Sequence, residues 1–372
     1  MSDSIFLQIG GKKIRNFISY TAEADLYVAD HAFSLMLSNP ETEITGGQKC
    51  ELYVNDQLEL TGIIDHINSR VDKSGRTLTV EGRDLMGLVV DSSCEQFISV
   101  QNWKLSKLAQ LLLKDVPFIN LKQILYQQDI VGKLKTRRSR TASYGLEAMM
   151  GAESTGERIA QIHPGMSKFQ VLQMYALSKG LMFYSLPDGT FVFGRPLAGG
   201  DPDYTIIINK EGRGVNFISA EIDRNWSKRF SKVTVVGQRQ AHVDDGLNVM
   251  STNIGGAAGT VVDPDYPFYK PFVQLSHNDS QTPQQHARMI MDKGRHDGFR
   301  LVYELPRHSQ GSKNFTINRM ALIKDDIHNI HGSYLVSGRT FKMDKAKGPT
   351  TSITVTLPGL VEDGGKPGGP HK

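Results

Sequence analysis

The sequence predicts a mainly β protein with α+β insertions, built as two similar small antiparallel β-barrels plus two α/β subdomains. Three observations carry this. Stretch 49–91, "KCELYVNDQLELTGIIDHINSRVDKSGRTLTVEGRDLMGLVVD", reads as a three-stranded meander followed by a short helix. The same grammar returns at 322–360, "LIKDDIHNIHGSYLVSGRTFKMDKAKGPTTSITVTLPGL". Two further segments carry helix start signals and interrupt the strand pattern.

In the first meander, Cys50, Leu52 and Val54 alternate with Glu51, Tyr53 and Asn55, the period of a half-buried strand. Asn55-Asp56 supplies a turn, since both residues tolerate turn backbone and can bond their own main chain. Beyond Gly62, Ile63, Ile67 and Val71 share one face while His66, Asn68 and Arg70 share the other. A turn at Asp72-Lys73-Ser74-Gly75 leads to a return strand carrying Leu78 and Val80. In the second meander Asp326 precedes Gly332 as Asp56 precedes Gly62, and Met343-Asp344-Lys345 matches Val71-Asp72-Lys73. The two copies are expected to lie side by side, within one chain or between neighbours.

In chain order, 5–9, Gly10-Gly11 and 12–17 form a hairpin, 21–29 is irregular, and 32–37 is a strand. These with the meander close a first barrel over 1–98, with 84–90 as a helical plug. An α/β middle domain follows over 99–203. Its first helix is expected after an N-cap at Asn102, with Leu105, Leu108, Ala109 and Leu112 on one face. Segment 127–162 has no periodicity. Ser167 and Gln170 then form a capping box, Gly180 ends the helix, and a hairpin turns at Leu186-Pro187-Asp188-Gly189. The second barrel is discontinuous, 204–238 and 299–360, with strands at 205–208, 215–222 and 228–236. An α/β insertion, 239–298, separates its parts; it holds a glycine-rich loop and a helix opened by Thr282, Pro283 and Gln285. The tail, 361–372, is glycine, proline and charge, and is expected to be disordered.

The 372 residues are 39% apolar and 22% charged, ordinary for a globular protein. A net charge of +4 is too small for a dedicated nucleic-acid binder. No apolar run reaches the roughly 18 residues of a membrane span, and the N-terminus lacks a signal-peptide pattern. Cys50 and Cys94 give no disulfide framework, so synthesis in a reducing cytoplasm is expected.

The chain lacks GxSxG, HExxH, CxxC, a Walker loop and a helix-opening GxGxxG. His328 and His331 stand three apart on an expected turn and read as a solvated pair. Asp244, Asp245, Asp263 and Asp265 are acidic loop residues with weak calcium character. Glu221, Asp223 and Glu304 could supply a carboxylate pair for glycan hydrolysis, but nothing in the spacing fixes their separation. Asn225, Asn278 and Asn314 open Asn-x-Ser/Thr triplets, which mean nothing without secretion. One charge run stands out: Lys133, Lys135, Arg137, Arg138 and Arg140. It reads as an exposed docking or channel loop, because burying five like charges would cost several kcal/mol each. Tyr144 is its only aromatic neighbour, too little for a stacking platform.

In "EGRDLMGLVVDSSC", a strand ending in Gly-Arg leads to "DLxxxxVD" and a small polar run, carried by Gly82, Arg83, Asp84, Leu85, Val90, Asp91 and Ser92. This pattern resembles the baseplate hub family of Mu-like contractile-tailed phages, related to late control D proteins and type VI secretion spikes. "HPGMSKFQVLQMYALSKGLMFYSLPDGTFVFGRP" is similar to its middle domain, and "NFISAEIDRNWSKRFSKVTVVGQ" to the start of its second barrel. The resemblance implies a homotrimeric ring between the six-fold tail tube and the three-fold central spike. It implies no catalytic residues, no cofactor and no metal. The implied partners are the spike, the tube, other baseplate proteins and phage DNA passing through without sequence-specific binding. The place would be the virion tail, after assembly in the host cytoplasm. The rival readings are a tail-associated cell-wall glycan hydrolase and a receptor- or carbohydrate-binding tail module. The latter favours aromatic clusters in loops, whereas Trp103 and Trp226 fall in structured segments.

Overall fold

A computed structural model describes residues 3–15, 17–38, 43–73, 75–95, 100, 103–126, 162, 164–178, 181–237, 258–275, 283–344 and 348–358. Strands β1 (Ile5–Ile9) and β2 (Lys12–Ile14) form the opening hairpin. β3 (Phe17–Asp25) runs through the stretch expected to be irregular, and β4 (Ala32–Ser38) returns beside it. The sequence hid β3 because Ala22 and Ala24, which alternate inward beside Tyr20, are weak apolar signals.

The meander is β5 (Lys49–Val54), β6 (Gln57–Asp72) and β7 (Gly75–Asp84). Cys50, Leu52 and Val54 are buried, and Asn55 and Asp56 take φ of 50° and 58° in the two-residue turn, values these residue types tolerate. Helix α1 (Met86–Asp91) occupies the place of the expected plug. Its Met86 and Val89 pack with residues of the middle segment instead of the sheet's core.

In that segment, α2 (Leu105–Leu113) has Lys104 at its N-cap with no side-chain cap bond, so the helix starts later than an Asn102 cap would set. Its expected apolar face is correct: Leu108, Ala109 and Leu112 are buried. After β8 (Leu125–Tyr126), helix α3 (Lys168–Ser178) opens with the expected box. The Gln170 amide donates to Ser167 Oγ at 3.1 Å, and the Ser167 amide donates to Gln170 Oε1 at 3.0 Å. β9 (Met182–Ser185) and β10 (Phe191–Gly194) are the following hairpin.

Strands β11 (Tyr204–Ile208) and β12 (Ser219–Arg224) precede a small separate sheet. That sheet is β13 (Lys232–Val236), β14 (Ala258–Val262) and β15 (Pro271–Leu275), with β13 in the middle. β13, read from sequence as a strand of the second barrel, pairs among the described residues only in this sheet. Val233 and Val235 point to Ala287 and Met291 of α4 (Pro283–Asp297), so the helix draws β13 into the insertion's own core. The chain then runs through β16 (Phe299–Pro306), the short pair β17 (Ser309–Gln310) and β18 (Lys313–Asn314), β19 (Arg319–Asp325), β20 (Ile330–Asp344) and β21 (Gly348–Thr356).

Among the described residues, thirteen strands join in one sheet. Its two halves repeat one order: β3-β4-β7-β6-β5-β1 and β12-β16-β21-β20-β19-β11. They differ at the last step, where β1 runs antiparallel to β5 but β11 runs parallel to β19. The long strands bulge at equivalent places, between Ile64 and His66 in β6 and between Val336 and Gly338 in β20. Asp72 therefore matches Asp344, as the sequence indicated. Gly62, however, matches Tyr334 and not Gly332, because the β19–β20 turn is longer than Asn55-Asp56. The halves meet through β3 and β20, paired from Gly338↔Asp25 to Asp344↔Ser19. Leu7, Leu35, Leu52, Ile206, Tyr303, Ile323, Phe341 and Ile353 fill a single core shared by both halves. Each such side chain contributes about 1.5–3 kcal/mol on burial.

Candidate functional site: two open strand edges on a polar-faced sheet

Eight strands form an unbroken run, β12-β16-β21-β20-β3-β4-β7-β6. One face of the run is the core. On the other, register aligns rows of hydroxyls and charges. One row is Thr350, Lys342, Thr21, Ser34, Glu81 and His66; another is Ser219, Glu304, Ser352, Thr340 and Glu23. These side chains are half-buried or exposed, while their neighbours along each strand (Phe341, Ala22, Leu35, Val80) are buried. Alternation alone produces this, since successive residues of a strand point to opposite faces. Serine and threonine dominate the face. The carboxylates Glu23, Asp25, Asp72, Glu81, Glu221, Asp223, Glu304 and Asp344 outnumber the cations Arg70, Arg83, Arg300 and Lys342 on this face.

The ends of the sheet are not alike. β2 is three residues long and carries Lys12 and Lys13, both exposed, a common way to blunt an edge. β11 is blunted by side-chain amides: Gln310 and Asn216 bond the backbone of Thr205 and Ile207 on its outer side at 2.7–2.8 Å. Among the described residues, β12 has no such cover and pairs only with β16. Among the same residues, the outer half of β6, from Asp65 to Asp72, pairs only with β7. Apolar side chains stand exposed beside both: Val71 (74%) near the tip of β6, and Ile218 (50%) at the start of β12. Unpaired backbone flanked by exposed apolar side chains is a template for another strand.

Buried polar groups tie the halves together behind this face. Arg339 Nη2 donates to Glu59 Oε2 at 3.1 Å, and Asn314 Nδ2 donates to Glu59 Oε1 at 2.7 Å. The two meander regions thus touch within one chain, as expected, although the strand beside β20 is β3. His308 is fully buried, with Tyr20 Oη at 2.6 Å from Nε2 and Thr351 Oγ1 at 3.0 Å from Nδ1. Thr351 gives its own proton to the Arg307 carbonyl, so Nδ1 carries the hydrogen and Nε2 accepts from Tyr20. Burial lowers the His308 pKa to about 4, which keeps the ring neutral in this role.

A second polar joint holds the middle segment. Arg83 bridges Asp30, Asp65 and Asp91, at 3.2, 2.7 and 2.5 Å, and the hydrogen bonds to Asp91 and Asp65 raise its pKa. Beside it Asp84 accepts from Ser185 Oγ of β9 and lies 3.5 Å from His31 Nδ1. Burial raises Asp84 to about 7 and lowers His31 to about 4.

The basic cluster Lys133, Lys135, Arg137, Arg138 and Arg140 lies outside the described residues, as do Asp244 and Asp245. Asp263 is buried and held by Arg229 and Arg295, each at 2.7 Å, so its carboxylate is committed to two guanidiniums instead of a cation site. His328 turns back to Asp325 at 2.7 Å, and His331 to Asp326 at 3.6 Å. No group of three metal-ligating side chains converges among the described residues. Glu221, Asp223 and Glu304 share the polar face, and Glu304 accepts from Ser219 Oγ at 3.1 Å. Sequence reasoning did not single out the two open edges. The exposed Val71 and the charged alternation of 219–224 were the available signals.

Residues 4–84 match the family described as Mu phage baseplate assembly protein GpP-like, N-terminal. That match covers residues 4–84 of the chain and bears out the resemblance to the Mu-like phage baseplate family there. Among particular relatives, the chain is 21% identical over 314 residues to baseplate hub protein gp44 of Escherichia phage Mu, covering 82% of this chain and 73% of that protein. Its fold is similar to a tail protein from Neisseria meningitidis MC58: TM-score 0.77, 22% identity, 97% of this chain and 98% of the other. It is also similar to the 43 kDa tail protein of prophage MuSo2 from Shewanella oneidensis: TM-score 0.73, 20% identity, 96% and 99% coverage.

Proposed function

We propose that the chain is a structural, non-enzymatic baseplate hub of a contractile phage tail. In this reading it forms a ring-shaped trimer that adapts a six-fold tail tube to a three-fold central spike. The observation that carries it is the repeated strand order with an open edge at each end of the eight-stranded run. Three chains then present six similar halves, six-fold in shape and three-fold in sequence. Unlike edges meet between neighbours, and closing the ring leaves neither edge free.

Three such runs make a closed sheet of about 24 strands; at about 4.8 Å per strand its backbone diameter is at least about 37 Å. Packed layers are about 10 Å thick, so six hydrophobic cores do not fit inside such a ring and must lie outside it. The hydroxyl-rich face then lines the channel. Roughly 25 Å remains clear after side chains, enough for duplex DNA. A lining with more carboxylates than cations gives phosphates little to hold, consistent with passage without sequence-specific binding. The spike, the tube and other baseplate proteins are the proposed partners, the virion tail the proposed place, and the host cytoplasm the site of assembly. The basic segment 133–140 is proposed to dock or to line part of the passage.

Sedimentation equilibrium of the purified chain, with negative-stain imaging, tests this reading. A mass of three chains and a ring with a central hole are expected; a monomer or an open filament would overturn it. A second reading, a carbohydrate- or receptor-binding tail module, draws on the loop between β14 and β15. There Phe268 and Tyr269 are exposed, and Tyr266 packs against both Phe268 and Trp226. Glycan binding that is lost in Tyr269→Ala would favour it.

A further inference from the structure

The internal repeat allows the contact between neighbouring copies to be read residue by residue, and this inference rests on the ring proposed above. Within one chain, β20 of the second half pairs with β3 of the first: Lys342↔Thr21, Met343↔Tyr20 and Asp344↔Ser19. The repeat relates each of these strands to one of the open edges. Counting from the equivalent hairpin tips, Asn68, Arg70 and Asp72 of β6 stand where Thr340, Lys342 and Asp344 stand in β20. Counting across β4 and β16, Ser219, Glu221 and Asp223 of β12 stand where Ser19, Thr21 and Glu23 stand in β3.

We infer that β6 of one copy and β12 of the next form an antiparallel strand pair in which Arg70 faces Glu221, Val71 faces Ala220 and Asp72 faces Ser219. The occupant of each open edge is a second copy of this chain. Side-chain chemistry supports the register independently of the repeat. The in-chain contact at this position is Lys342 opposite Thr21, and the transferred register places a full opposite-charge pair there. Opposite charges directly across an antiparallel pair are favourable, and like charges are not. The same register covers Val71, which is 74% exposed in the single chain, with Ala220, a residue already packed against the shared core. A slip of one residue would turn Arg70 toward the core side of the partner strand and leave Val71 in the polar channel.

Charge exchange in the full-length chain tests the register. Arg70→Glu and Glu221→Arg each place like charges across the contact, and both positions are exposed in the single chain, so folding measured by circular dichroism should not change. Each single variant is expected to dissociate at protein concentrations about tenfold higher than wild type, and the double variant R70E/E221R to recover most of the loss. A reversal at Lys12, exposed on the distant β2 edge, is the control and should leave the mass unchanged. Trimeric single variants indistinguishable from wild type would overturn the register while leaving the ring intact. A wild-type chain that does not trimerise would overturn the ring reading and the register together.

Discussion

Arg339 and Glu59 form an ion pair 3.1 Å long whose side chains are each about 4% exposed, and they come from opposite halves of the repeat. Burial pushes the Glu59 carboxyl up and the Arg339 guanidinium down, each against the pull of its partner. Desolvation therefore outweighs attraction, and the pair is weak evidence for stability in itself. Removing one partner is a different matter. Glu59→Leu would strand a buried guanidinium and should cost about 3–5 kcal/mol in urea unfolding, whereas E59L/R339M should lose much less.

Asp84 and His31 make a joint whose pH response is hidden by compensation. Asp84, raised from 3.8 to about 7, contributes stability that is full below pH 3.8 and lost as pH rises through 7. His31, lowered from 6.5 to about 4, contributes stability that is full above pH 6.5 and lost as pH falls through 4. Between about pH 4 and 6.5 the slopes oppose, because folding takes a proton from one group and gives one to the other. Asp84→Asn should unmask His31, with stability falling toward acid by up to about 1.4 kcal/mol per pH unit. His31→Gln should unmask Asp84, with stability falling by a similar slope as pH rises from 4 to 7. Denaturant midpoints at four pH values would check both; parallel profiles for wild type and variants would contradict the assignment.

Gly62 sits where β6 crosses close to β7. A Cβ there would lie 1.9 Å from the Arg83 carbonyl oxygen and 2.9 Å from the Asp84 Cα, both backbone atoms that cannot swing aside. Gly62→Ala should therefore cost about 3 kcal/mol or more, and calorimetry would show a matching fall in Tm. Glycine 47, in open space, offers a comparison for steric effects, although its φ of +78° adds strain of its own.

The meanders were legible because Leu52, Val54, Leu78 and Val80 obey period 2 and Asn55-Asp56 punctuates them. The Ser167–Gln170 box was legible because a cap is a local pattern of two side chains and two amides. β3 was not, since alanines carry little of the apolar signal that marks a buried face. The membership of β13 was not, since its alternation fits either sheet and only the distant α4 decides. The open edges were invisible for a more general reason. An edge is defined by the absence of a partner, and pairing between β3 and β20 joins residues more than 300 positions apart. The basic segment was the one site proposed from charge, and it lies outside the described residues.

Cysteines at Asn68 and Asp223, positions facing each other in the proposed pair between copies, give the most direct test of the ring. The native Cys50 and Cys94 are buried and should stay unreactive. Oxidised N68C/D223C protein should run on non-reducing denaturing gels as one, two and three linked chains, with either single variant remaining unlinked. A ladder that continues past three chains would contradict the trimeric ring, and no ladder from a protein shown to be folded would contradict the strand pair proposed to close it.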